Sequence, residues 1–239
     1  DRRFRPGRYI ESDYPPLRRS PFIRDMERIT SSRAYRITYI GVPLVVAGLV
    51  VQERDHGFRH LRNDYVPSFR FRYDDYLQYA PAALMLGLKI GGVRGRSSWG
   101  RMLVSDAFSV ALMAGAVNSL KYTCRMPRPD GSNNKSFPSG HTATAFMAAT
   151  MLHKEYGGRS PWYSIAGYSM ATVTGVSRML NNKHWLSDVL VGAGIGILSV
   201  ELGYLFADLI FKDKGLTEFE QDFFYDRYCR PSFFGMEVS

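Results

Sequence analysis

The chain has 239 residues, with 31 Lys and Arg against 22 Asp and Glu, five His and two Cys. Two cysteines exclude a disulfide scaffold and a cysteine-rich zinc or iron–sulfur site. An aromatic content of 14% within 45% hydrophobic residues excludes a disordered chain. The net charge of +9 raises nucleic acid as a partner, but no nucleic-acid module is recognisable, and none is expected to bind.

A mean hydropathy of −0.20 conceals a strong segregation of charge. The tail 1–36 carries ten Arg, has no apolar signal-like core, and reads as a basic cytoplasmic juxtamembrane segment. Because the chain opens at Asp1, a signal sequence ahead of it would invert that orientation. Charge-poor runs follow at 37–52, 76–93 (interrupted by Lys89), 102–120 (Asp106), 140–152, 160–177 and 185–211 (Asp188, Glu201, Asp208). Only 160–177 meets a strict hydropathy test on its own. Read together they predict an all-α fold, a bundle of six transmembrane helices over 37–211. The alternative is a soluble protein with six buried helices. Three features favour the bilayer. Trp99, Trp162 and Trp185 sit at segment edges, as interfacial aromatics do. Small residues such as the GAGIG at 192–196 permit close helix packing. The basic connectors alternate in a positive-inside sense, with Arg94, Arg96, Arg101, Lys154 and Arg159 inside alongside Lys212 and Lys214 at the start of a cytoplasmic segment 212–239. The 53–75 connector, with five Arg, makes this a bias and not a clean split.

In that topology three polar clusters share the outer face. The first is Lys121-YTCRMP-Arg128-Pro129, the second is SFPSGH at 136–141, and the third runs from Ser177-Arg178 to His184 and Asp188. Lys121, Arg128 and Arg178 supply three cations, two of them guanidinium forks suited to phosphate oxygens. Ser139 and Gly140 stand where a helix begins, and free backbone N–H groups there favour an anion. His184 and Asp188, four apart, share a helix face, so Asp188 can hold one ring N–H and leave the other nitrogen to attack. His141 is the natural acid for the leaving oxygen. Such a set performs phosphoryl transfer through a covalent histidine, with no metal and no cofactor expected.

The stretches KYTCRMPRP, PSGH and SRMLNNKHWLSD resemble the three signature motifs of the type 2 phosphatidic acid phosphatase superfamily. Its patterns are Lys-x6-Arg-Pro, Pro-Ser-Gly-His and Ser-Arg-x5-His-x3-Asp, and every fixed position is met between 121 and 188. The resemblance implies a six-helix phosphatase core. It also implies that Lys121, Arg128, Ser139, Gly140 and Arg178 bind phosphate, that His184 is the nucleophile, Asp188 its partner and His141 the general acid and later base. It points to a multi-pass protein of the bacterial inner membrane, acting on a lipid phosphate at the periplasmic face.

The motifs leave the lipid open among lipid A, undecaprenyl diphosphate, phosphatidic acid and phosphatidylglycerol phosphate. The connector at 53–75 interleaves Arg59, Arg62, Arg70 and Arg72 with aromatic residues. As an amphipathic interfacial segment it would meet a large polyanionic head group, which favours lipid A; the plainer reading is an interfacial anchor. Two other functions compete. A vanadium-dependent haloperoxidase would use the same cage, but those relatives are soluble. A catalytically silent lipid-binding scaffold would not need the His184–Asp188 pair. His56 and His60 have metal-ligand spacing but no third ligand. Lys89 is expected to pair with Asp106 or Glu201, and Cys124 and Cys229 are expected on opposite faces, unbridged. Nothing in the sequence sets an oligomeric state.

Overall fold

The computed structural model describes residues 26, 28–212 and 214–216. The chain divides into two units, 1–36 and 37–239. The short helix Arg33–Thr38 begins in the first; everything that follows concerns the second. Expectations for the chain beyond residue 216, including Cys229, lie outside the described residues.

The described residues are helical, and their one strand-like pairing is an isolated bridge between Ser97 and Leu216. In chain order the helices are α1 (Gly41–Val51), α2 (Asp55–Tyr65), α3 (Asp74–Leu77), α4 (Ala80–Ile90), α5 (Trp99–Cys124), α6 (Gly140–Tyr156), α7 (Pro161–Leu180) and α8 (Leu186–Phe211). Each of the six charge-poor runs therefore contains a helix. Their lengths differ from expectation. The two that are long and apolar enough to cross a membrane are α5 and α8, at 26 residues each, or about 39 Å of helix. The run at 160–177 becomes the 20-residue α7, rich in Ser, Thr and Tyr. Helices α1 and α4 have only 11 residues, although α1 continues into a 3-10 turn at Gln52–Arg54 and α3 leads into α4.

Helix α8 is the hub. It packs against α1, α5 and α6, while α6 packs against α4 and α7. The core between them is built from Met85, Met102, Met113, Met147, Met151, Leu152, Tyr156, Val191, Val200 and Tyr204. The small residues at 192–196 explain how close α8 can come. A Cβ on Gly192 would lie 2.6 Å from the Ser139 carbonyl oxygen, and one on Gly196 would lie 2.4 Å from that of Ala143. The two glycines, four apart, give α8 a flat strip along which the α6 backbone lies. Gly196→Ala should therefore lower the apparent Tm in detergent, at a cost of about 1–3 kcal/mol, because backbone and not a side chain must yield. Gly115→Ala, in open space on α5, should leave Tm unchanged or raise it, since Ala is the better helix former.

Antiparallel α5 and α8 separate the two ends of the bundle. At one end Arg101, 1% exposed, contacts Asp208 at 2.5 Å and donates to the carbonyls of Lys212 and Lys214 at 2.7 and 2.8 Å. Arg96 reaches the same Asp208 at 2.9 Å. Here the structure corrects the pairing of Lys89. Its ammonium donates to the Ser97 carbonyl and lies 5.8 Å from the centre of the Trp99 ring. Glu201 pairs instead with Lys154 at 2.7 Å, and Asp106 accepts from the Tyr204 hydroxyl at 3.2 Å. The connector before α5 brings a carbonyl to Lys89, which makes no ion pair with either acid.

Candidate active site

At the opposite end the three motif clusters meet by direct contact. The Ser139 N–H donates to the Asp188 carbonyl at 3.0 Å, tying the second cluster to the third. The Trp185 indole N–H donates to the Pro127 carbonyl at 2.9 Å, tying the third to the first. A Cβ on Gly140 would stand 3.8 Å from Lys121 Cε, which sets the first against the second.

Local geometry explains the spacing within each cluster. After α7, Asn182 adopts φ 58°, a left-handed conformation that Asn tolerates. The chain then turns back, and the Arg178 carbonyl accepts from Lys183 N at 3.0 Å and His184 N at 3.3 Å. Five intervening residues thus return His184 to the end of α7 that carries Arg178. In the first cluster, α5 ends at Arg125 with φ 45°. The loop closes through Arg128 N to Asn133 O at 2.9 Å and Ser136 N to Met126 O at 3.0 Å. Asp130 braces it by a 2.6 Å ion pair with Lys183. Burial raises the Asp130 carboxyl, but hydrogen bonds from Lys183 and Ser132 outweigh it and hold the group at about 2. Ser139 caps α6, accepting from Thr142 N at 3.4 Å and lying 2.9 Å from the Thr142 hydroxyl.

Asp188 is fully buried. Its Oδ2 accepts from Trp185 N at 2.9 Å and from the Ser136 hydroxyl, and lies 3.4 Å from His184 Nδ1. The carboxylate assigns the ring proton to Nδ1 and leaves Nε2 with the lone pair. Burial is the main reason that His184 falls from 6.5 to about 4; Asp188 opposes the fall and the Arg128 and Arg178 charges add to it. The imidazole is consequently a free base at neutral pH. The acid limb of kcat/KM belonging to this group should lie near pH 4 and not near 6.5. The same shift affects stability. Between 6.5 and about 4 the unfolded chain takes up a proton that the folded chain refuses. His184's stabilising contribution is complete above 6.5 and is lost as pH falls towards 4. A pH–rate profile and thermal melts across that window check both statements.

The cations form a cage. Coulombic interactions link Lys121 with Arg128, Arg178 and Asp188. Burial and the Arg178 charge both push Arg128 down. The Nε atoms of Arg128 and Arg178 are buried without a hydrogen-bond partner. A buried and a half-buried guanidinium group and an ammonium, at the start of α6, favour an anion between them.

Sequence reasoning missed four residues here. Asp74, 2% exposed, pairs with Arg178 at 2.9 Å. Asp75 touches His141 Nε2 at 2.8 Å and Arg178 at 3.4 Å. Asn181 holds the connector in place, exchanging bonds of 2.9 and 2.7 Å with the Phe71 backbone and donating to Asp74 at 2.9 Å. Asp55 binds Ser187 N at 3.1 Å and the Ser187 hydroxyl, joining α2 to the start of α8; burial raises its carboxyl despite those bonds. The signal available was the acidic Asp74-Asp75 pair in an otherwise Arg-rich connector.

The proposed head-group arginines divide. Arg70 and Arg72 are exposed, whereas Arg62 donates to the Leu180 carbonyl at 2.8 Å. Arg59 lies 5.8 Å from the centre of the Trp185 ring. Trp185 itself departs from expectation. Trp99 and Trp162 are exposed, but Trp185 is 8% exposed, its ring 5.0 Å from that of His56. It is a strut between motif clusters and not an interfacial anchor.

Residues 103–211 match the model of the PAP2 superfamily. That part of the chain is a PAP2 superfamily domain. Over 173 residues, 72% of the chain, it is 53% identical to a protein of Porphyromonas gingivalis named lipid A 1-phosphatase. The chain spans 39% of that relative's length. Two solved structures are also similar. One is LpxE of Aquifex aeolicus, at 25% identity and a TM-score of 0.47, covering 62% of this chain and 92% of that one. The other is a transmembrane PAP2 type phosphatidylglycerolphosphate phosphatase of Bacillus subtilis, at 20% identity and a TM-score of 0.43, covering 72% and 98%.

Proposed function

We propose that this chain is the catalytic part of a membrane lipid phosphatase that removes phosphate from lipid A by a phosphohistidine mechanism. The observation that carries the reading is the contact of all three PAP2 motifs around one cationic cage beside the His184–Asp188 pair. His184 Nε2 attacks phosphorus, the phosphorus–oxygen bond to the lipid breaks, and His141 protonates the departing oxygen. Water then attacks the phosphohistidine, with His141 taking its proton, and inorganic phosphate leaves. Lys121, Arg128 and Arg178 stabilise the charge on the transferring group, the work that a metal does in other phosphatases.

A bilayer setting rests on the exposed apolar side chains of several helices. These include Val46 and Val50 on α1, Leu103 and Val110 on α5, Val173 on α7, and Phe206 and Leu209 on α8. In this reading the six helical segments form the membrane bundle of the inner membrane, and the cage opens at the periplasmic face. A groove of about 300 Å³ lined by Phe69, Phe71, Val173, Val176 and Leu180 runs beside Ser177, next to Arg178, and suits an acyl chain. Lipid A is chosen over the other lipids because the Porphyromonas gingivalis relative, at 53% identity, is named for it.

The test is phosphate release in detergent with EDTA from lipid A, phosphatidic acid, phosphatidylglycerol phosphate and undecaprenyl diphosphate. The expected result is EDTA-resistant release with lipid A as the best substrate. A better rate on one of the others would reassign the lipid and leave the chemistry, and release abolished by EDTA would remove the metal-free mechanism.

A further inference from the structure

We infer that Asp75 is the positioning residue of the proton donor, holding His141 by its Nε2 and setting it against Arg178. The inference rests on the reading of His141 as general acid. Nothing in the family motifs includes this residue; it comes from the connector, on the short helix α3, pinned to the end of α7 through Asn181.

The two neighbouring acids differ. Asp74 is buried, and its Oδ2 takes both Arg178 and Asn181. It is a structural counter-charge. Asp75 has a side chain 63% exposed, so the fold does not depend on it, and its Oδ1 is shared between His141 at 2.8 Å and Arg178 at 3.4 Å. His141 sits in the first turn of α6, its ring 30% exposed. A ring so open has several orientations, and a carboxylate accepting one ring N–H selects one of them. Arg178 belongs to the cage, so the same oxygen that orients the acid ties it to the phosphate position. When phosphate enters, Arg178 turns its second contact to the anion while Asp75 keeps the imidazole. A carboxylate so near the cage also opposes an incoming anion, so its removal should slow turnover without weakening phosphate binding.

The experiment is steady-state kinetics of wild type, Asp75→Asn, His141→Ala and the double variant on lipid A, with inorganic phosphate as competitive inhibitor. Asp75→Asn should lower kcat by about 10- to 100-fold, within the range of general acid catalysis. The inhibition constant for phosphate should stay the same or fall. In the His141→Ala background, Asp75→Asn should change kcat by less than about threefold, because a residue that acts through His141 has nothing left to act on. Three results overturn the inference: kcat of Asp75→Asn within about threefold of wild type, weaker phosphate binding alongside the lower kcat, or equal factors in both backgrounds. A His141→Ala enzyme at the wild-type rate would instead remove the general-acid reading beneath it.

Discussion

His184→Ala should lower phosphate release from lipid A by at least about 10³-fold, the scale on which covalent enzymes lose rate with their nucleophile. The loss should fall on kcat. The cationic cage and the start of α6 are built from other residues, so phosphate should still inhibit or protect the variant at concentrations near those for wild type. The local fold should also survive. Asp188 keeps Trp185 N and Ser136 as donors after the imidazole is gone. Because His184 is buried and neutral, its removal leaves no unpaired charge, only a small cavity costing about 1–3 kcal/mol. A variant that melts near the wild-type temperature, binds phosphate and does not turn over is the expected phenotype.

Arg178→Ala should be the more damaging change, because it strikes activity and stability together. Arg178 is 7% exposed and Asp74 2%, at 2.9 Å from each other. Removing the guanidinium strands a buried carboxylate with Asn181 as its remaining polar partner, and breaking such a pair costs about 3–5 kcal/mol. The cage also loses the cation nearest His141. A fall of about 10²-fold or more in kcat/KM, with a clear drop in Tm, is expected. Two further variants separate the effects. Arg178→Ala combined with Asp74→Asn should recover part of the stability and none of the activity. Arg178→Lys should hold the charge but lose the fork, which cannot then serve Asp74 and the phosphate at once. Thermal melts beside lipid A kinetics check each arm.

The candidate site was legible because its residues are few, polar and out of place in apolar surroundings. Lys121, Arg128, His141, Arg178, His184 and Asp188 stand out by type and spacing, and the structure brings their clusters together. The helices were legible in position, and the run at 185–211 almost coincides with α8 at Leu186–Phe211. Other ends were less legible: the third run stops before Lys121 and the fourth at Leu152, whereas α5 continues to Cys124 and α6 through Lys154 and Glu155 to Tyr156. Lys154 and Glu155 find partners on α8, in Glu201 and the Tyr204 hydroxyl, which no single run reveals. Trp185 was misread for a similar reason: a tryptophan at a helix edge looks alike whether it meets lipid or a loop that folds over it. Asp74 and Asp75 could not be placed at all. Their role depends on the connector after α2 reaching the end of α7, more than a hundred residues later, through Asn181.

The most direct measurement of the central claim is a rapid-quench labelling of wild-type enzyme with lipid A carrying radioactive phosphate, in EDTA. An acid-labile, alkali-stable phosphoenzyme is expected, with its label on the peptide containing His184 and absent from His184→Ala. Turnover of lipid A without any such label, or a label on another residue, would contradict it.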